Sequence, residues 1–164
     1  MDSDIRAELK NLGKDTRFRF SGNFIKYGFK YADRNKVHAV PTILLGNIHL
    51  IKDDGKQILL TDHLWFNLTK GFKELGILHV GETVSFNGRI AEYTKGYQGS
   101  DDSIHKPVKV DYNIERPTKV KLDASLYSNN MLWPTENWEL CNKIYDMYFD
   151  DYKSRNIAMP YSSF

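Results

Sequence analysis

The strongest constraint on the fold is an alternation of apolar and polar residues over positions 16–31. Up to Phe24 the apolar residues fall on even positions, and from Ile25 onward they fall on odd positions. An alternation with a period of two indicates a strand with one buried face. A change of phase inside the run indicates a β-bulge, which bends the strand and exchanges its buried face. We therefore predict one long, bent strand; the alternative is a two-stranded hairpin, but no turn dipeptide separates Phe24 from Ile25.

The rest of the chain up to residue 122 has the composition of further strands. Asp54-Gly55 lies between two β-rich runs and is a strong hairpin signal. Asn67 and Gly76 have the residue types of an N-cap and a C-terminal stop for a short helix. Pro117 assigns part of the last strand to an edge or a kink, because proline cannot donate to a ladder. Strands are predicted over 42–51, 57–67, 83–93 and 108–122, short helices over 4–12 and 68–75, and a long polar loop over 94–107.

This order of elements, β-β-β-α-β-β, resembles the OB-fold family across about residues 16–122. The phrase Leu78–Ile90, LHVGETVSFNGRI, is similar to the stretch that begins the fourth strand in many nucleic-acid-binding OB domains. The resemblance implies a closed five-stranded barrel that binds its ligand on strands two and three and on the flanking loops. In style the sequence is also similar to small proteins of phages and mobile genetic elements. The predicted organisation is an N-terminal helix or arm at 1–15, an OB-type β-barrel at 16–122, and a C-terminal helical extension and tail at 123–164.

Charge and cysteine content predict the compartment and restrict the partners. The formal net charge is only +2, with a basic front at residues 1–40 and an acidic end at residues 123–164. That distribution is compatible with a nucleic-acid surface, and equally with scattered surface charge. No apolar run approaches the roughly 18 residues of a membrane span, and the polar N-terminus has no signal-peptide pattern. We therefore expect a soluble protein without membrane contact. The single cysteine, Cys141, has no internal disulfide partner, which favours a reducing compartment, so we expect the protein to be cytoplasmic.

Aromatic residues make up 13% of the chain, and many are interleaved with lysine and arginine. This combination is typical of single-strand binders, in which rings stack on bases and cations follow phosphates. We therefore predict that the protein binds single-stranded nucleic acid as a replication or recombination accessory protein. Single-stranded DNA is the favoured ligand and RNA is the alternative. Tyr27 and Tyr31 share a phase with Phe29, so a place in the core is the alternative for both. The predicted nucleic-acid-binding residues are Lys26, Tyr27, Lys30, Tyr31, Trp65, Arg89, Lys95, Tyr97 and Lys106.

The C-terminal segment predicts one helix over 136–153, with Thr135 as its N-cap. Its aromatic residues fall at helical spacing and exceed what one face requires. The helix either packs on its own barrel or binds a partner such as a replication protein. The second interpretation makes the protein an interaction module, for example an accessory subunit of a replication enzyme or a phage-encoded inhibitor of a host nuclease. Its predicted partner-binding residues are Trp138, Tyr145, Tyr148 and Phe164, and the sequence leaves the oligomeric state open.

Catalysis is the least supported interpretation. The sequence contains no GxSxG, P-loop or HExxH motif and no Cys/His metal-binding set. Asp62 and His63 are neighbours on a predicted strand, so their side chains point to opposite faces and cannot act as an acid–base pair. We therefore predict a protein that is not an enzyme and has no cofactor.

Overall fold

The structure, a computed structural model, describes residues 17–95, 109–124 and 130–161 and is mainly β. Its five strands form one sheet in the order β3-β2-β1-β4-β5, and all neighbours are antiparallel. The predicted helix over 4–12 and most of the predicted 94–107 loop lie outside the described residues. The elements are β1 (Arg17–Tyr31), β2 (Ala39–Ile51), β3 (Gln57–Asn67), α1 (Lys70–Lys73), β4 (Thr83–Lys95), β5 (Lys109–Ala124), α2 (Asn137–Met147) and α3 (Phe149–Ser154).

Strand β1 is the long, bent strand that the alternation predicts. It pairs with β4 from Arg17 to Asn23 and with β2 from Arg19 to Tyr31. One register shift against β2 falls between Phe24 and Lys26, which confirms the predicted bulge. The bulge keeps Phe24 and Tyr27 both buried although they lie an odd number of positions apart. Beyond Asn23, β1 separates from β4, and this second half of the strand borders the groove that forms the candidate site.

The sheet curls around an aromatic core. Strands β3 and β4 are three strand spacings apart, which would be about 14 Å in a flat sheet. Yet the ring centroids of Phe66 on β3 and Phe86 on β4 are only 5.3 Å apart. Phe72 of α1 lies 5.9 Å from each of these rings. The curl therefore brings distant strands of the sheet onto one core, and α1 contributes Phe72 to that core.

The closed barrel expected from the sequence is wrong, because the sheet does not close. Among the described residues no strand pairing joins β3 to β5, so these strands are the two edges of the sheet. Helix α1, which follows β3, packs against β5 in that gap. A Cβ atom at Gly71 would lie 3.0 Å from Cγ2 of Val120 on β5, so backbone and side chain are in close contact there.

The structure confirms two predicted glycine positions and corrects the predicted starts of two helices. Gly55 in the β2–β3 hairpin and Gly76 after α1 both have positive φ, as their predicted turn and stop roles require. The first helix is shorter than predicted, since it covers only Lys70–Lys73 and its N-cap is Thr69 rather than Asn67. In the same way α2 begins after Glu136, so Thr135 is not its N-cap. No helix in the described parts of the chain combines the length and the apolar character of a membrane span.

The turn before β4 contains a buried carboxylate. Gly81 has φ +93°, and Glu82 beside it is fully buried. The Glu82 carboxylate accepts hydrogen bonds from the backbone N–H of His79 at 2.6 Å and from Nδ2 of Asn130 at 3.4 Å. Its backbone carbonyl accepts a bond from the Phe24 N–H at 2.8 Å. Glu82 thus ties the bulge of β1, the turn and the C-terminal segment together.

The C-terminal segment packs on the sheet, as one of the two sequence interpretations proposed. Leu140 and Ile144 belong to the same core as β1 and β2. The single helix predicted over 136–153 is wrong, because Tyr148 leaves the helical conformation at φ −121° and ψ 34° and separates α2 from α3. At that break the Tyr148 hydroxyl accepts a hydrogen bond from the backbone N–H of Tyr27 at 3.1 Å. This bond satisfies a backbone donor of β1 beyond Asn23, where the pairing with β4 has ended.

Candidate nucleic-acid interface

A groove of about 810 Å³ lies where the second half of β1 meets β2, β3 and α3. It forms because β1 has already left β4, and α3 packs beside the strand edge in its place. Its lining combines basic and aromatic side chains with one carboxylate. The side chains that line it include Lys26, Phe29, Lys30, Tyr31, Lys36, Trp65, Tyr148, Asp151, Tyr152 and Arg155.

Trp65 supplies a flat aromatic surface in this groove. It pairs with Leu44 on β2, which in turn pairs with Lys26 on β1, so the three residues form one row across the sheet. The Trp65 side chain is 44% exposed. A Cβ atom at Gly28 would lie 3.2 Å from two atoms of the indole, so the ring lies across β2 onto β1 only because residue 28 has no side chain.

Basic side chains line the same part of the groove. Lys26 and Lys30 lie on the same face of β1, about 13 Å apart along the strand. The Lys26 ammonium is 5.9 Å from the Trp65 ring centroid, and the Lys36 ammonium is 5.9 Å from that of Tyr31. Lys36 comes from the loop between β1 and β2, so two elements contribute basic side chains. An anion that follows β1 therefore meets positive charge along its length.

Arg155, which directly follows α3, is a groove residue that sequence reasoning missed. Its guanidinium is 5.3 Å from the ring centroid of Tyr152, and its Nη2 donates to Oδ2 of Asp151 at 2.7 Å. The spacing of these residues, three and four positions, places them on one side of a helix. That signal is present in the sequence, but where this side docks depends on the break at Tyr148, which the sequence did not reveal.

Burial raises the pKa of two tyrosines of the groove. Desolvation raises the pKa of Tyr152 to about 12, although Arg155 opposes the shift. Burial likewise raises the pKa of Tyr148, against the hydrogen bond from the Tyr27 backbone. Both hydroxyl groups, like that of any tyrosine, are neutral at physiological pH, and the shifts keep them neutral into the alkaline range, so they add no negative charge beside the lysines.

Five of the predicted nucleic-acid-binding residues belong to the lining of the groove. They are Lys26, Tyr27, Lys30, Tyr31 and Trp65. Tyr27 is a correction: it is 1% exposed, and its hydroxyl accepts a hydrogen bond from the Leu78 N–H inside the core, so its ring cannot receive a base. The phase shift at the bulge turned it inward.

The remaining predicted residues lie elsewhere. Arg89 is on β4, outside the groove lining, where its Nη2 is 3.1 Å from Oε2 of Glu115 in an ion pair. Lys95 ends β4, but its side chain, like Tyr97 and Lys106, lies outside the described residues. The contribution predicted for the loop between strands four and five therefore stays a prediction.

The predicted partner-binding residues separate into different environments. Tyr145 is 7% exposed and its hydroxyl donates to the carbonyl of Ile157 at 2.9 Å, so a partner role for its ring is wrong. Tyr148 is partly buried between β1 and α3, and Phe164 lies outside the described residues. Trp138 is 39% exposed and stays a candidate contact.

Two comparisons with known proteins gave no guide to the function. No family model matches the chain, and no curated protein matches it. Within the described ranges, no group of three or more His, Cys, Asp or Glu side chains is placed to hold a metal ion. The function must therefore be inferred from the chemistry of the groove.

Proposed function

We propose that the protein binds single-stranded nucleic acid in this groove. The observation that carries the proposal is the half-exposed Trp65 ring with Lys26 beside it, in a groove that holds three more cations and one carboxylate. A base stacked on an aromatic ring contributes about 1–3 kcal/mol, and neighbouring lysines compensate the adjoining phosphates. Stacking on Trp65 requires an unpaired base, so a single strand fits better than a duplex.

The sheet supports the same proposal as a variant of the OB-fold. A bent first strand that pairs with both the second and the fourth strand is what an OB-type barrel requires, and an OB barrel is commonly only partly closed. We interpret the gap between β3 and β5 as such an opening, with α1 inserted in it. The groove includes Trp65 of β3, Thr42 of β2 and Lys36 of the loop after β1, which match the places where OB domains bind their ligands. Strand β1 and the C-terminal segment supply the rest of its lining.

The test compares two tryptophans of similar exposure. We would titrate a labelled oligo-dT of about 20 nucleotides in about 50 mM salt with the wild type, Trp65→Leu and Trp138→Leu, and record anisotropy. Since one stacked base is worth about 1–3 kcal/mol, Trp65→Leu should weaken binding by about 5- to 150-fold. Trp138 is outside the groove lining, so Trp138→Leu is the matched control and should change the affinity for oligo-dT little.

Three outcomes would contradict the proposal. The first is no binding by the wild type up to tens of micromolar protein. The second is equal loss from both tryptophan substitutions, and the third is equal affinity for a duplex of the same length. Oligo-U in place of oligo-dT then distinguishes RNA from DNA as the preferred ligand.

A protein-interaction module is the second candidate, and it is favoured by three exposed apolar side chains. Met131 and Leu132 are 70% and 75% exposed, and Val80 is 71% exposed. The two segments are joined, because the Ile77 N–H donates to the Met131 carbonyl at 2.7 Å. A double substitution Met131→Ser and Leu132→Ser should leave oligonucleotide affinity unchanged. A loss of affinity there, with none from Trp65→Leu, would show that the groove is not the interface.

A further inference from the structure

Arg155 is held at the groove by contacts with two residues of the preceding helix, α3. Its guanidinium lies over the Tyr152 ring, and that ring is stacked on Tyr145 at 5.2 Å with an interplanar angle of 9°. Both tyrosines are 7% exposed, so the stack is fixed by the core. An arginine supported on a rigid aromatic stack has lost much of its conformational freedom before a ligand arrives.

Asp151 occupies the anion-binding side of that guanidinium. The contact at 2.7 Å is a charge-assisted hydrogen bond, and both side chains remain about half exposed, at 53% and 58%. A carboxylate and a phosphate oxygen use the same donors of a guanidinium. Asp151 is also the single carboxylate among the lining residues of the groove. A phosphate that reaches Arg155 must therefore displace or share the place of Asp151.

We propose that Arg155 is a phosphate-binding residue of this groove and that Asp151 competes with phosphate for it. The inference rests on the proposed function and adds Arg155, at the end of α3, to the lysines of β1 and the following loop. Asp151 thereby keeps the affinity of the groove below the level that its cations would reach alone. Ligands with a phosphate opposite α3 gain this contact, whereas a strand too short to extend from Trp65 to Arg155 does not.

The chain offers a matched control for the test. Asp150 is exposed, lies beside Asp151 in the first turn of α3, and is absent from the groove lining. Asp150→Asn and Asp151→Asn therefore change the net charge and the helix terminus in the same way, but only the second frees Arg155. The experiment measures oligo-dT affinity at about 50 to 200 mM salt for both variants, for Arg155→Gln, and for Arg155→Gln combined with each of them.

The expected result is a gain that depends on Arg155. Asp151→Asn should bind about two- to fivefold tighter than Asp150→Asn, as expected for release of one exposed ion pair. Its plot of log affinity against log salt should be steeper by up to about 0.7, the value for one phosphate contact with a single strand. In the Arg155→Gln background the two aspartate variants should bind alike.

Each contrary result has a distinct meaning. If the wild type binds and Asp151→Asn equals Asp150→Asn, this inference is overturned and the proposed function stands. The same conclusion holds if the gain persists without Arg155. If the wild type does not bind the oligonucleotide at about 50 mM salt, both are overturned. Circular dichroism melts of every variant identify a loss of folding as the cause of any weak binding.

Discussion

At the scale of single residues, Gly28 determines how Trp65 presents its ring. A methyl group at this position would meet the indole at 3.2 Å and the Thr42 hydroxyl at 3.1 Å, so the ring must tilt away by a few tenths of an ångström. We expect Gly28→Ala to weaken oligo-dT binding by up to about tenfold, less than removal of the ring. Stability should change by no more than about 1 kcal/mol, because alanine is favoured over glycine in a strand and the indole can yield.

Gly22→Ala provides the contrast for this prediction. There the added methyl group would lie 2.8 Å from Cδ1 of Ile48 inside the core. We expect this variant to lose stability in urea while the folded fraction keeps its affinity. The prediction for Gly28 would be contradicted if Gly28→Ala bound as tightly as the wild type with an unchanged tryptophan emission spectrum.

Two buried acids predict a loss of stability at alkaline pH. Burial raises the pKa of Cys141 from about 9 to about 11 and that of Tyr152 from about 10 to about 12. Since the folded state holds these protons more tightly than the unfolded chain, their contribution is complete below about pH 9 and is lost as the pH rises through 11 and 12. The free energy of unfolding in urea should be flat from pH 7 to 8.5 and fall above pH 9.

Cys141→Ala removes one of these titrations and is the control. Its stability should be lower at pH 8 because a buried side chain is truncated, but it should decline less between pH 9 and 10.5. A wild-type stability that stays constant or rises over that interval would contradict the assignment.

Single residues also show where sequence reasoning ends. Lys26 and Lys30 were predictable, because alternation along β1 places them on one face. For Tyr27 the alternation left two interpretations, and its burial confirms the alternative that it belongs to the core. Arg155 depended on a tertiary contact of α3 that leaves no local pattern.

At the scale of secondary structure, the free edge of β1 depends on the break between α2 and α3. The Tyr27 N–H has the Tyr148 hydroxyl as its acceptor, at 3.1 Å. We expect Tyr148→Phe to lower the free energy of unfolding by about 1–3 kcal/mol, because a partly buried donor is left unsatisfied. Tyr31→Phe, which removes a hydroxyl from the same groove, is the control. Equal urea midpoints for both variants would contradict this role of Tyr148.

Strands were more predictable than helices in this chain. The period-two alternation and the Asp54-Gly55 turn are local signals, and they located β1 and the β2–β3 hairpin to within a few residues. The interruption at Tyr148 coincides with a hydrogen bond to a strand 121 positions away. Helical spacing alone continues through such a residue, so the sequence predicted one helix.

At the scale of the whole molecule, closure of the sheet was the feature that composition and topology predicted incorrectly. Strand order depends on patterning and turn lengths, whereas closure depends on what occupies the gap between the edge strands. Here Gly71 and Val120 bring α1 against β5. Strand β5 also has an irregular register near Pro117, where Arg116 and Lys119 adopt positive φ. Such an edge is poorly suited to pair with another strand.

The distribution of charge over the molecule gives the last prediction. Net charge is only +2, and the arginines of β1 are not free, because Arg17 and Arg19 donate to Thr118 and to the Lys119 carbonyl of β5. Among the described residues the groove gathers four cations against one carboxylate, so we expect most phosphate contacts there. Three or four phosphate contacts at about 0.7 each predict a slope of about −2 to −3 for log affinity against log salt.

Four lysine substitutions test where these contacts lie. Lys26→Gln and Lys30→Gln should each reduce the magnitude of the slope by about 0.7, while Lys56→Gln and Lys121→Gln, outside the groove lining, should not. A slope near zero, or equal effects of all four substitutions in anisotropy titrations from about 50 to 300 mM salt, would mean that phosphates are not bound where the cations converge.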